Sequence, residues 1–361
     1  MVPATNPSRL DRGSPTGTEK GVSLIELMVA LAIGLALILV ISYAYVGSKQ
    51  TFRTQEALSR MQETARFVFE TLGFDIRMAG FTGCGNTATA VNTVNGSTDW
   101  DKNILLAPLI GYEGGVSTFP SGVSGNVLRG DALTVLRGDG SDYSITSHNP
   151  TAASIQLAAN HDIKQGEILI ATDCQHTAVF QMSNVNNNNT VSVVVHNSGG
   201  ATSPGNCTKG LGSPLLCTAN GNPYTFGPGS KLMRMSSMNY HIRTNANGEP
   251  ALYRLRLGAN TTGAATQFAE ELAEGVSDMQ ITFGEDTGTD KQIDQYVTAN
   301  AVTDWTKVLS VRISLLIAST GNTAYTTEPQ AYTYNGTTTT PTDRRLRKVF
   351  DMTIAVRNRL P

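Results

Sequence analysis

Charge is the scarcest property of this chain: 16% of its 361 residues are charged and the net charge is −2 at pH 7. A chain so balanced lacks the basic face that phosphate binding needs, which argues against direct contact with nucleic acid. Catalytic signatures are missing as well. There is no GxSxG, GxxxxGK[ST] or HExxH, and no GxGxxG set between a strand and a helix, so neither a catalytic residue nor a cofactor is expected. Cysteine is limited to Cys84, Cys174, Cys207 and Cys217, with no CxxC, and the histidines at 148, 161, 176, 196 and 241 are scattered. That spacing excludes the usual structural zinc sites. Proline does not interrupt residues 22 to 79, and no charge occurs between Glu26 and Lys49.

These last two absences define the most informative stretch, the apolar run of residues 21 to 46. At about 20 uncharged residues it is long enough to cross a bilayer core of about 30 Å as a helix. It is too long for the core of a cleavable secretory signal and has no small-residue exit of the AxA kind. A plain anchor explains its length but not Glu26, whose charge costs a few kcal/mol at membrane depth. No Lys, Arg or His follows within two helical turns, and Lys20 is the nearest cation upstream. A cut between Gly21 and Val22 would create one: the new α-amino group would lie four residues before Glu26, where a neighbouring copy can use it as a counterion.

The run Lys20, Gly21, Val22, Ser23, Leu24, Ile25 and Glu26 resembles the processing junction of type IV prepilins. Shared features are a basic residue, the Gly before the cut, a hydrophobic first residue and Glu as fifth residue of the mature chain. Val22 stands where the family most often has Phe. The resemblance implies that a membrane prepilin peptidase removes residues 1–21 and methylates the amine of Val22. The leader itself holds Pro3, Pro7, Pro15 and Gly13 beside Arg9, Arg12 and Lys20, a composition that resists folding and keeps its charge cytoplasmic.

Past the apolar run, Leu58, Met61, Ala65, Val68, Leu72, Ile76 and Ala79 recur every three or four residues, so the helix is expected to continue amphipathically to residue 79. Residues 22–46 form its transmembrane or polymerising part, and the rest packs on a domain. Gly80, Gly83 and Gly85 end it. The stretch from Arg66 through Arg77, Met78, Ala79 and Gly80 to Cys84 resembles PilW-type minor pilins, as does the ending from Arg344 through Phe350 to Arg357 and Asn358. Its basic residues read first as a solvated approach to a strand and second as a partner surface.

Residues 80–361 read as a β-rich head, elaborate enough for two lobes divided near 200–230. Expected strands are 104–110, 132–136, 168–172, 179–182, 191–195, 252–257 and 279–283, followed by 296–297. Asn186–Asn189 reads as a hairpin tip and Thr337–Thr340 as a loop. Two alternating strands close the chain, one carrying Leu309, Val311, Ile313, Leu315 and Ile317, the other Phe350, Met352, Ile354 and Val356; both are expected to bury a face on the helix half from Leu58 to Ile76. Four cysteines permit three pairings. Cys207 with Cys217 is the most economical, which leaves Cys84 with Cys174 to clamp the helix exit to distal strands.

Asp286, Asp290 and Asp294 step by four in a polar loop. Gly288 and Lys291 replace the residues a calcium loop favours and Val297 stands where its bidentate Glu belongs, so the stretch reads first as a solvated acidic turn and second as a cation site. Tyr296 and Trp305 after it resemble an element of the PilW family. The resemblance as a whole implies an α+β type IV pilin-like fold. It also implies a minor pilin held in the inner membrane with its head in the periplasm, then built into an extracellular pilus. Its partners would be other minor pilins, a tip adhesin, the major pilin and the prepilin peptidase, and its roles priming of assembly at or near the tip, twitching motility, adhesion and DNA uptake. A minor pseudopilin of type II secretion shares the N-terminal device, and a surface binding protein that never polymerises would share the anchor alone.

Overall fold

A run of 54 residues without proline folds as one α-helix, Leu24–Arg77, two residues shorter at each end than its sequence pattern implies. The computed structural model describes residues 21–84, 89–123, 130–158, 161–188, 191–200, 202–288, 290–321 and 325–359. Leader residues 1–20, Gly85 and Asn189 lie outside them. Residues up to Arg53 and from Thr54 onward form two compact units, and the helix contributes to both. In the first unit every large apolar side chain from Val22 to Val46 is more than half exposed. Its helix is long and apolar enough to cross a membrane.

In the second unit the helix has a clean inner stripe of Ala57, Met61, Ala65, Val68, Leu72 and Ile76, all buried, with Ala57 rather than Leu58 as its first member. The helix ends where Gly80 adopts φ +74° and donates its N–H to the Leu136 carbonyl at 2.9 Å, a backbone conformation that a Cβ opposes.

Beneath that stripe lies a four-stranded antiparallel sheet in the order Gln295–Val297, Val276–Glu285, Val308–Ala318, Arg347–Ala355. Ile281 faces Ile313, which faces Met352 across the ladder. Met279, Ile281, Phe283, Val311, Ile313, Leu315 and Ile354 join the helix stripe in one apolar cluster, as the alternation of the two closing strands predicts.

The larger sheet has eleven strands centred on Lys231–Thr244. Ala132–Asn149 runs along one side of this central strand. Ile168–Thr172 pairs with the first half of its other side and Pro250–Ala259 with the second half. His176–Gln181 and the parallel strand Thr89–Asn92 extend one end; Ser154–Leu157, Val191–Val195 and Asn184–Asn188 extend the other. Ile168 and Ile170 enter one apolar cluster while Leu169 and Ala171 enter another. Both faces are covered here, which is why the run reads as continuously apolar rather than alternating. From 202 to 230 the chain forms no strand, yet it contributes Leu211 and Phe226 to the second cluster.

Some elements differ from the sequence pattern. The strand expected at 104–110 begins only at Leu109, after Pro108, which cannot donate to a ladder. Thr337–Thr339 is a strand, not a loop, paired with Tyr332–Tyr334. Asn335 and Gly336 turn the hairpin with φ of 47° and 72°, the positive values that an Asn-Gly turn supplies. Ala265–Glu274 has a helix-forming composition but is a strand, since it pairs along its length with Pro250–Ala259. Asn186, Asn187 and Asn188 belong to a strand.

Candidate functional site

Gly21 and Val22 lie in irregular chain before the helix, and both are exposed. Ser23 caps the helix: its Oγ accepts from the Glu26 N–H at 3.2 Å, and Glu26 Oε2 accepts from the Ser23 N–H at 3.4 Å. This reciprocal pair is a capping box, Ser at the cap and Glu three residues on, and it satisfies two of the N–H groups a helix start leaves unpaired. The pattern Ser-Leu-Ile-Glu was visible in the sequence, but the apolar context drew attention to the charge of Glu26 rather than to its reach. Glu26 therefore has a local role besides any it plays toward a neighbour.

At the other end the helix is fastened by charge. Asp75 lies on the buried face, where its carboxylate accepts from Arg137 Nε at 2.8 Å and from the Tyr240 hydroxyl. All three side chains are buried, and the Arg137 guanidinium also lies over the Phe74 ring, 4.8 Å from its centroid. Burial, and then the charge of Asp75, push the Tyr240 hydroxyl well above its ordinary pKa. An acid on an apolar stripe was the available signal; its partners lie 62 and 165 residues away and no local pattern announces them.

Both disulfides form as the spacing implies. Cys84 pairs with Cys174 and Cys207 with Cys217, with Cα–Cα distances of 5.2 and 5.0 Å. The first joins the segment after the helix to the turn before His176–Gln181.

The histidines, scattered in sequence, are partly gathered by the fold. His148 and His196 meet Nε2 to Nε2 at 3.0 Å, and His148 Nδ1 accepts the Phe226 N–H at 3.2 Å. Phe226 stacks on His148 and Phe180 packs against His196. Burial lowers the pKa of His148 to about 4, and burial, together with the nearby His148, lowers that of His196 to about 3. His176 Nε2 donates to the Leu211 carbonyl at 2.5 Å, and its ring stacks on Tyr224. Among the described residues no three His, Cys, Asp or Glu side chains are grouped to hold a metal ion.

The acidic turn is closed by its own hydrogen bonds. Asp294 Oδ2 accepts from the Thr287 N–H and hydroxyl, both at 2.8 Å, and from the Gly288 N–H at 3.2 Å. The Thr287 bonds hold its carboxyl below the usual range. Asp286 Oδ2 accepts the Lys291 N–H at 3.1 Å and Asp290 Oδ1 the Gln292 N–H at 3.0 Å, so each carboxylate accepts from backbone N–H groups of the same loop. Thr289 lies outside the described residues. Trp305 packs edge-on against Phe283, centroids 4.9 Å apart, and the Tyr296 hydroxyl meets Ser310 Oγ at 3.0 Å; both aromatics fix the turn to the four-stranded sheet.

Residues 239–358 match the family model PilW, described as Type IV Pilus-assembly protein W. No curated protein and no solved structure matches the chain. The matched region contains the four-stranded sheet that carries the helix stripe and supports a protein related to the type IV pilus. It is a family of pilus assembly, not of enzymes.

Proposed function

We propose that the chain is a minor pilin: a subunit processed between Gly21 and Val22, methylated at the Val22 amine, held in the inner membrane and then built into a type IV pilus. The observation that carries this reading is the family match over 239–358, which falls on the sheet supporting a helix whose N-terminus is a prepilin-like junction. The apolar residues 22–46 would pack against neighbouring subunits, and a neighbour's α-amino group would neutralise Glu26, since a buried charge left alone is several kcal/mol worse than a paired one. In this reading the head meets other minor pilins and a tip adhesin, at or near the pilus tip, and contributes to priming, twitching motility, adhesion and DNA uptake.

Mass spectrometry of the mature N-terminus tests it directly. The expected species begins with methylated Val22, and an intact leader, or a cut elsewhere, overturns the proposal. One observation favours a second reading. The capping box gives Glu26 a use that needs no neighbour, as in a membrane-anchored protein that does not polymerise.

A further inference from the structure

We propose that His148 and His196 form an acid-sensitive latch that holds residues 218–230 onto the large sheet, and that protonation of the pair releases this segment while the rest of the head stays folded. The geometry determines where the protons are. Phe226 N–H donates to His148 Nδ1, so the proton of neutral His148 is on Nε2. That N–H donates to His196 Nε2, which places the His196 proton on Nδ1. Every ring lone pair in the chain of bonds is therefore used. An added proton has only two places to go: His148 Nδ1, where it faces the Phe226 N–H, or His196 Nε2, where it faces the His148 N–H. Either breaks one bond of the latch and sets two donors against each other.

Burial and the nearby His148 outweigh the two backbone groups, of His196 and Lys209, that favour a charged His196 ring. Both side chains are buried, and the charged groups acting on His196 are His148 and Lys209, which repel an imidazolium. The carboxylate of this cluster, Asp173, is already engaged by the Tyr224 hydroxyl at 2.6 Å and by the N–H groups of Gln175 and His176. His176 and Tyr224 also pack against the Phe226 ring. Phe226 is the anchor of the segment, fully buried and stacked on His148, so loss of its backbone bond loosens the whole stretch that it holds. The Cys207–Cys217 bond closes only the preceding loop; 218–230 is otherwise tied by hydrogen bonds, from Gly212 N–H to the Asn222 carbonyl and between Ile145 and the backbone of Gly229 and Ser230, which the loss of the Phe226 anchor leaves to hold it alone.

Hydrogen exchange on the full-length chain in detergent, corrected for the intrinsic pH dependence of exchange, tests the latch. Between about pH 7 and about pH 5 the opening constant of peptides in 218–230 is expected to rise about 20-fold, one proton taken up per opening below about pH 6.5. Peptides of the strand Val308–Ala318 are expected to stay protected. The double variant His148→Asn, His196→Gln keeps an acceptor for the Phe226 N–H without a titrating ring, and is expected to flatten the pH response. Protection of 218–230 that does not change with pH, loss that occurs equally in 308–318, or an unchanged response in the double variant would each overturn the proposal; the first two need only the wild-type chain.

Discussion

Asp75 shows how one residue settles the seating of the helix. On an otherwise apolar stripe its carboxylate would be prohibitively placed without Arg137 and Tyr240. Breaking such a pair costs more than never having it, because the remaining charge stays buried. Arg137→Met alone is therefore expected to destabilise the head by about 3–5 kcal/mol, and the double variant Asp75→Leu, Arg137→Met by much less. Urea unfolding of the detergent-solubilised chain measures both, and a single-variant cost no larger than that of the pair would show that the clamp is not what fixes the helix. The acid at 75 was legible in the sequence as an exception to the apolar period; its counterion was not, because the bulge and register that bring Arg137 beneath the helix are tertiary facts.

At the scale of the element, the cap role of Glu26 can be separated from the counterion role proposed for it. Gln at that position can still complete a capping box but carries no charge. Glu26→Gln is expected to leave cleavage after Gly21 intact and to reduce incorporation into pili by about tenfold or more, since a neighbour's amine would lose its counterion. Ser23→Ala, which removes a cap contact worth about 1 kcal/mol and keeps the charge, is expected to assemble nearly as wild type. Immunoblots of sheared pili compare the two, and equal incorporation of Glu26→Gln and wild type would leave Glu26 as a helix cap only. The helix itself was readable from its period and lack of proline. Strands such as Ala265–Glu274 were not, because pairing with Pro250–Ala259 rather than local propensity makes them extended.

For the molecule as a whole, the region matching the pilus-assembly family begins within the central strand Lys231–Thr244 of the large sheet and leaves most of that sheet before it. Residues 239–358 hold the small sheet, while both disulfides and the His148–His196 pair lie before residue 239. The two bridges close chain segments of very different length, 90 and 10 residues apart in sequence. In the loop-entropy account, replacing Cys84 and Cys174 by Ser is expected to cost about 4–5 kcal/mol and replacing Cys207 and Cys217 about 2–3 kcal/mol. Thermal unfolding of the two variants in the same detergent checks the order, and a larger loss from the short bridge would contradict it.

What the sequence determined by itself is whatever depends on neighbours along the chain: the apolar run, the helical stripe and the alternation of the closing strands. Each follows from composition and a period of 3.6 or 2 residues. Only the tertiary structure decided which distant groups meet. Asp75 finds Arg137, and His148 finds His196. The physical reason is that burial makes an unpaired polar group costly wherever it lies, while the partner that relieves the cost is chosen by sheet register and loop path, which leave no local mark in the sequence.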